Sequence, residues 1–184
     1  MNLTIHTIDT APDESRPVLE GIEQDLGFVP NAAAAAAESP MLLAAFDGLR
    51  RAVGHSELAP VEREVAGLAV AVTVDNAYGV AFHSTVLSTL GVGDDEITSM
   101  RSGRPPGDTR LDAVYRVARS IAERRGRVDD ETWLHTQSTG ITVAEVLEIA
   151  AEATFVTMVG FIDNLADRVA LDSFLEPRSW QHAL

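Results

Sequence analysis

The sequence predicts an all-α fold, a single domain over residues 1–184 built from about eight helices. Three observations carry this expectation. The composition is 46% hydrophobic but only 5% aromatic, with Ala, Leu and Val abundant, which suits close-packed helices better than sheets. Apolar residues recur at spacings of three and four in most segments, so that they line one face of a helix. Proline, glycine and small polar residues stand between those segments, where helices start and stop. A chain of 184 residues can bury a sizeable core as one unit.

Residues 1–17 alternate weakly (Leu3, Ile5, Ile8) before Pro12 and Pro17, and read as an extended arm able to lie on a neighbouring subunit. A short helix from Pro17 to Asp25 is closed by Gly27. Phe28-Val29-Pro30 is an extended link, because the residue before proline avoids the α region. Asn31 can cap a helix through the alanine run, a close-packed or exposed spacer. Ser39-Pro40 opens the helix from Met41 to Val53, whose stripe of Leu42, Ala45, Phe46 and Leu49 faces a core. Gly54-His55-Ser56 connects it to a pair of helices spanning Pro60 to Leu90. Then come a short helix with an acidic start (Asp94 to Met100), a Pro/Gly loop (Ser102 to Asp108) and an amphipathic helix from Leu111 to Arg125. Asp129 to Thr136 is helical. Thr142 and Glu145 form a capping box that opens a helix from Val143 to Val159, and Phe161 to Val169 continues it or kinks at Gly160. Residues 172–184 form a C-terminal tail.

Composition excludes several classes of function. The formal net charge of −14 opposes nucleic acid and anionic lipid alike, and the arginines between Arg101 and Arg127 are interleaved with acids as on a solvated helix face. There is no cysteine, hence no disulfide, thiolate nucleophile or cysteine metal site. There is no lysine either, which removes Schiff-base chemistry and a P-loop. With no apolar run of membrane length and no basic-then-apolar leader, the expected location is the cytoplasm. The Ala/Arg-rich composition suggests a GC-rich bacterial source.

The chemistry-bearing stretch is Pro60 to Leu90, two helices meeting at a polar break, Thr73-Val74-Asp75-Asn76. Val61, Val65, Leu68, Ala69 and Val72 share one face of the first helix, with Glu64 at its edge, while Glu62 and Arg63 point elsewhere. In the second, Asn76, Gly79 and His83 stack on one side. A half-buried acid and an imidazole therefore meet at a helix junction. Partial burial is expected to raise the pKa of Glu64, and the absent side chain at Gly79 to leave room beside His83. The two groups offer too few ligands for a metal. His6, His135 and His182 have no identifiable partner. Because Val70 and Ala71 lie opposite Leu68 and Val72, the first helix is apolar all round, which suits either a core or a subunit interface.

Glu64, eleven further residues and then Asn76-x-Tyr78-Gly79-x-x-x-His83 resembles the Glu…C-x-Y-C-x-x-x-H pattern of the AhpD-like, carboxymuconolactone decarboxylase superfamily. LGFVPN (Leu26 to Asn31), the ESP turn (Glu38 to Pro40) and the tail from Leu171 to Trp180 add to the resemblance. It implies an AhpD-like helical fold that assembles as a trimer, hexamer or dimer. In AhpD-type relatives two cysteines cycle between dithiol and disulfide while Glu and His relay protons. Here the cysteine positions are Asn76 and Gly79, so dithiol peroxidase chemistry is excluded. What the resemblance then implies is a cofactor-independent lyase or isomerase, of decarboxylase, isomerase or cyclase type, acting on an activated carbonyl compound or specialised metabolite. Glu64, His83 and Tyr78 are its catalytic candidates, and Asn76, Gly79, Asp163 and Asn164 its substrate-binding ones; Asp163 and Asn164 match an Asn/His pair that relatives carry before the final turn. The alternative is a non-catalytic small-molecule binder or structural homologue on the same fold.

Overall fold

The computed structural model describes residues 1 and 3–181; the end of the expected tail, with His182, lies outside them. Nine α-helices occur among the described residues and no strand. They are α1 (Arg16–Leu26), α2 (Asn31–Ala36), α3 (Pro40–Val53), α4 (Pro60–Thr73), α5 (Ala77–Thr89), α6 (Asp94–Arg101), α7 (Thr109–Glu123), α8 (Asp130–Ser138) and α9 (Val143–Leu165), followed by a short 3₁₀ turn at Glu176–Arg178.

Helix α4 is the central element, packed on α5, α7 and α9. Its all-round apolar surface is explained inside the chain, because every residue from Glu64 to Ala71 is buried. Glu62 does not point away as the sequence suggested. It is buried, accepts the Ala59 amide at 2.9 Å and pairs with Arg110, which also reaches Glu145 of α9 at 2.5 Å. Together these contacts tie the starts of α4, α7 and α9 to one another.

Two apolar clusters flank α5. One gathers Leu68, Leu87, Met100, Tyr115 and Ile149, and the other Leu19, Ile22, Leu43, Phe46 and Val159. Helix α5 serves both, with Val80 and Leu87 in the first and Tyr78 and Ala81 in the second. The alanine run is the close-packed alternative, for Ala32 to Ala37 are all buried. The N-terminal segment lies against its own chain: Leu3 and Ile8 pack on the second cluster, and the His6 amide donates to the Ala34 carbonyl at 3.3 Å.

Of the two alternatives at Gly160, the helix continues: α9 runs on to Leu165. A Cβ at Gly160 would lie 3.0 Å from Val74 Cγ2 and 3.2 Å from Asn76 Cβ, so the glycine serves close approach to the α4–α5 junction instead. His6 and His135 do have partners, Glu38 and Asp112, each at 2.7 Å.

Candidate functional site

The α4–α5 break is built so that α5 starts at a fixed place. Asp75 takes a left-handed backbone (φ 56°), a conformation that Asp tolerates better than most residues, and its carboxylate pairs with Arg168 at 2.8 Å. Asn76 is the N-cap. Its Oδ1 accepts from the Gly79 amide at 2.8 Å while its Nδ2 donates to the Val156 carbonyl at 3.0 Å, which also ties α5 to α9. Asp163, almost wholly buried, accepts from the amides of Ala77 at 2.9 Å and Val169 at 2.8 Å. Its neighbour Asn164 donates to the Val74 carbonyl at 3.1 Å.

Two turns along α5, His83 meets Glu64 of α4. Nδ1 of the ring lies 2.8 Å from Glu64 Oε2, and both side chains are buried. The ring lies over Gly67, where a Cβ would stand 2.2 Å from Cε1 and 2.5 Å from Nε2. Phe82 packs edge-on against the imidazole, with centroids 5.4 Å apart. The other Glu64 oxygen accepts from Arg63 at 3.1 Å.

Burial by itself would raise the Glu64 pKa. The hydrogen bond and charge of His83, joined by the Arg63 guanidinium, outweigh it and hold the carboxyl below its usual range. This reverses the expected direction. An ionised carboxylate can only accept, so the His83 Nδ1–H donates to it, and the ring's second nitrogen, Nε2, is left for a ligand.

These groups line a cavity of about 420 Å³. Its wall is mainly apolar, with Phe28, Phe46, Phe82, Phe155, Phe174, Val86 and Val159, and its polar members are Arg50, Arg63, Glu64, Asn76, Tyr78, His83 and Glu152. The structure thus brings Glu64, His83, Tyr78, Asn76 and Gly79 to one cavity. Asp163 and Asn164 are not on its wall; they clamp the α4–α5 junction. The Tyr78 hydroxyl donates to Asp172 at 2.5 Å, and burial together with that carboxylate pushes the phenol far above its ordinary pKa. The space expected at Gly79 is filled, since a Cβ there would meet Asn76 Nδ2 at 2.5 Å and Ala71 Cβ at 3.1 Å.

Sequence reasoning missed two residues of this site. Glu152 of α9 is buried, and its Oε2 has no hydrogen-bond partner. Burial pushes its carboxyl up to about 7; the Glu64 charge adds to that, while His83 and Arg63 pull the other way. The available signal was an acid inside the apolar stripe of Ile149, Ala153 and Val156. Gly67 was the other, a glycine one turn past Glu64 whose missing side chain holds the imidazole.

Among the described residues, no group of three or more His, Cys, Asp or Glu is placed to hold a metal ion, and no helix is long and apolar enough to cross a membrane.

Fold and site define an all-helical protein with a Glu–His pair buried beside an apolar cavity, and known proteins share the fold. Residues 40–120 match the carboxymuconolactone decarboxylase family. A peroxidase-related protein from Ralstonia eutropha JMP134 with an alkylhydroperoxidase AhpD core superposes with a TM-score of 0.79 at 19% identity, covering 94% of this chain and 92% of that one. The debrominase Bmp8, in a cysteine-to-alanine variant with 2,3,4-tribromopyrrole, gives 0.76 at 16% identity over 97% and 95% of the two chains. A peroxidase-related protein from Silicibacter sp. TM1040 gives 0.75 at 20% identity over 94% and 91%. No curated protein matches the sequence. The chain thus resembles the carboxymuconolactone decarboxylase family over residues 40–120 and shares the helical fold of AhpD-core proteins, and it contains no cysteine.

Proposed function

We propose that the protein is a cofactor-independent acid–base enzyme that moves protons on a small, largely apolar carbonyl compound. The observation that carries this reading is the 2.8 Å contact between Glu64 Oε2 and His83 Nδ1 at the wall of the cavity. Glu64 orients the ring and stabilises the imidazolium, so Nε2 can take a proton from carbon and return it. Excluding water from an apolar cavity strengthens that electrostatic support. Asn76, Gly79 and Tyr78 shape the wall, and Asp163 and Asn164 fix the junction that aims α5. That a fold neighbour, Bmp8, is described with 2,3,4-tribromopyrrole supports a small ring compound as the kind of ligand the architecture accepts.

The test is to incubate a metabolite extract with the protein and with a Glu64→Gln/His83→Ala double variant, comparing the two by mass spectrometry. A compound consumed only by the unmodified protein, with a product of equal mass or one lighter by water or carbon dioxide, supports the reading. A metabolite retained by both proteins without turnover overturns it in favour of a binding protein.

Self-association belongs to the same proposal. Val143, Leu147, Phe161 and Leu165 of α9 are each more than half exposed, and an apolar stripe of this kind suits a second copy of the chain. Light scattering that reports a monomer would refute that part.

A further inference from the structure

The Glu64–His83 pair accounts for one proton. The cavity holds a second group able to carry one, and its charges restrict what can enter. Glu152 is only 4% exposed, its Oε2 finds no hydrogen-bond donor, and the residue lines the cavity. A carboxylate left so would carry a full desolvation cost, whereas a carboxylic acid has a hydrogen to offer a ligand. The cations on the wall are already engaged. Arg63 binds Glu64, and Arg50 is held by Asp47 at 2.7 Å and by Asp25 at 2.7 Å. Among the described residues, no arginine without a carboxylate partner faces the cavity to receive a carboxylate ligand.

We propose that Glu152, in its protonated form, is the catalytic acid of this site, and that the substrate is an uncharged ketone or enone that leaves as an isomer rather than by losing carbon dioxide. The proposal rests on the Glu64–His83 reading and assigns its substrate class. His83 Nε2 removes a proton from the carbon beside the carbonyl as the C–H bond breaks. The electron pair moves to the carbonyl oxygen, which takes the Glu152 proton, and an enol results. Return of the imidazolium proton to carbon, at the same or a conjugated position, and of the enol proton to Glu152 restores both groups. No atom is lost and no oxidant is needed. A decarboxylation would require the substrate carboxylate to sit beside Glu64 and Glu152 with no unpaired cation to balance it.

The protonation state of Glu152 answers to the groups around it. Helix α4 supplies Glu64 and Arg63, α5 supplies His83, and Arg50 of α3 lines the same cavity; among the described residues, α2 and α7 contribute no charged side chain to its wall. With the carboxyl pushed up to about 7, the acid form dominates at pH 6 and is the minor form at pH 8.

Two probes of similar size test this, β-tetralone as the uncharged enolisable ketone and β-naphthoate as the carboxylate. Calorimetric titration of the full chain should show β-tetralone binding about tenfold weaker at pH 8 than at pH 6, following the protonated fraction. In Glu152→Gln, whose carboxamide donates a hydrogen bond but does not titrate, the affinity should be constant over that range. β-Naphthoate should bind at least tenfold more weakly than β-tetralone at pH 8. Tetralone binding that ignores pH in the unmodified protein, naphthoate binding as tightly as the ketone, or no saturable ketone binding would each overturn the proposal. Failure of the Glu64–His83 reading looks different: pH-dependent ketone binding persists, but replacing His83 leaves proton exchange on the bound ketone unchanged.

Discussion

Replacing Gly67 by alanine perturbs the site without replacing either proton carrier. The new Cβ would stand 2.2, 2.5 and 2.6 Å from three atoms of the His83 ring, whereas carbon atoms in contact sit about 3.5–4.0 Å apart. The imidazole must therefore move by more than about 1 Å, which breaks its 2.8 Å bond to Glu64. Overpacking costs about 1–3 kcal/mol, and the lost charge-assisted hydrogen bond about 1.5–3 kcal/mol. Better helix propensity returns about 1 kcal/mol. The net expectation is a destabilisation of about 1.5–5 kcal/mol, and at least about a hundredfold loss of any His83-dependent rate, as for catalytic groups misplaced by about 1 Å. Urea unfolding of Gly67→Ala, His83→Ala and the double variant measures the coupling directly. Because His83→Ala removes the obstructing ring, the alanine at position 67 should cost nothing further in that background, or even stabilise. Equal costs of Gly67→Ala in both backgrounds would refute the stacking of ring on glycine.

Three other outcomes follow from the same geometry. Glu152 has its folded pKa raised from 4.5 to about 7, so its contribution to stability is fully present below pH 4.5 and is lost as pH rises through 7. The loss is about 3 kcal/mol, and comparing unfolding free energies of the protein and Glu152→Gln between pH 5 and pH 8 should show that slope only in the former. Glu64 behaves oppositely, since its pKa is lowered: its contribution is present above 4.5 and fades as pH falls, a low-pH slope that should be absent in Glu64→Gln. Asn76→Ala removes the N-cap of α5 and its bond to Val156, and should lower stability by about 2 kcal/mol in denaturant titration.

The central helix pair was legible because two signals agreed there. Apolar spacing placed Glu64 beside a buried stripe, and the interval to His83 matched a known pattern. The side chains that decide the chemistry were less visible. Glu152 comes from α9, distant in sequence, and only tertiary packing against α4 and α5 turns an acid in an apolar stripe into part of the site. Gly67 carries no periodic signal, since its role is to be absent beneath a ring supplied by another helix. The direction of the Glu64 shift depends on whether burial or its partners win, and Arg63, read as pointing elsewhere, is one of those partners. Gly160 was open to being a kink or a plain continuation of the helix, and only the neighbouring helix junction, which it approaches closely, distinguishes them. Asp163 and Asn164 were expected to bind substrate, but they lie off the cavity wall and hold the α4–α5 junction through backbone amides and carbonyls.

The most direct test of the acid–base account is proton exchange on an uncharged ketone. In deuterated buffer at pH 6.5, nuclear magnetic resonance follows loss of the hydrogens between the carbonyl and the ring of β-tetralone. The account expects the protein to accelerate this loss over buffer, with Glu64→Gln and His83→Ala slower by about a hundredfold or more while still folded. Exchange at the same rate with the protein and with either variant would contradict it.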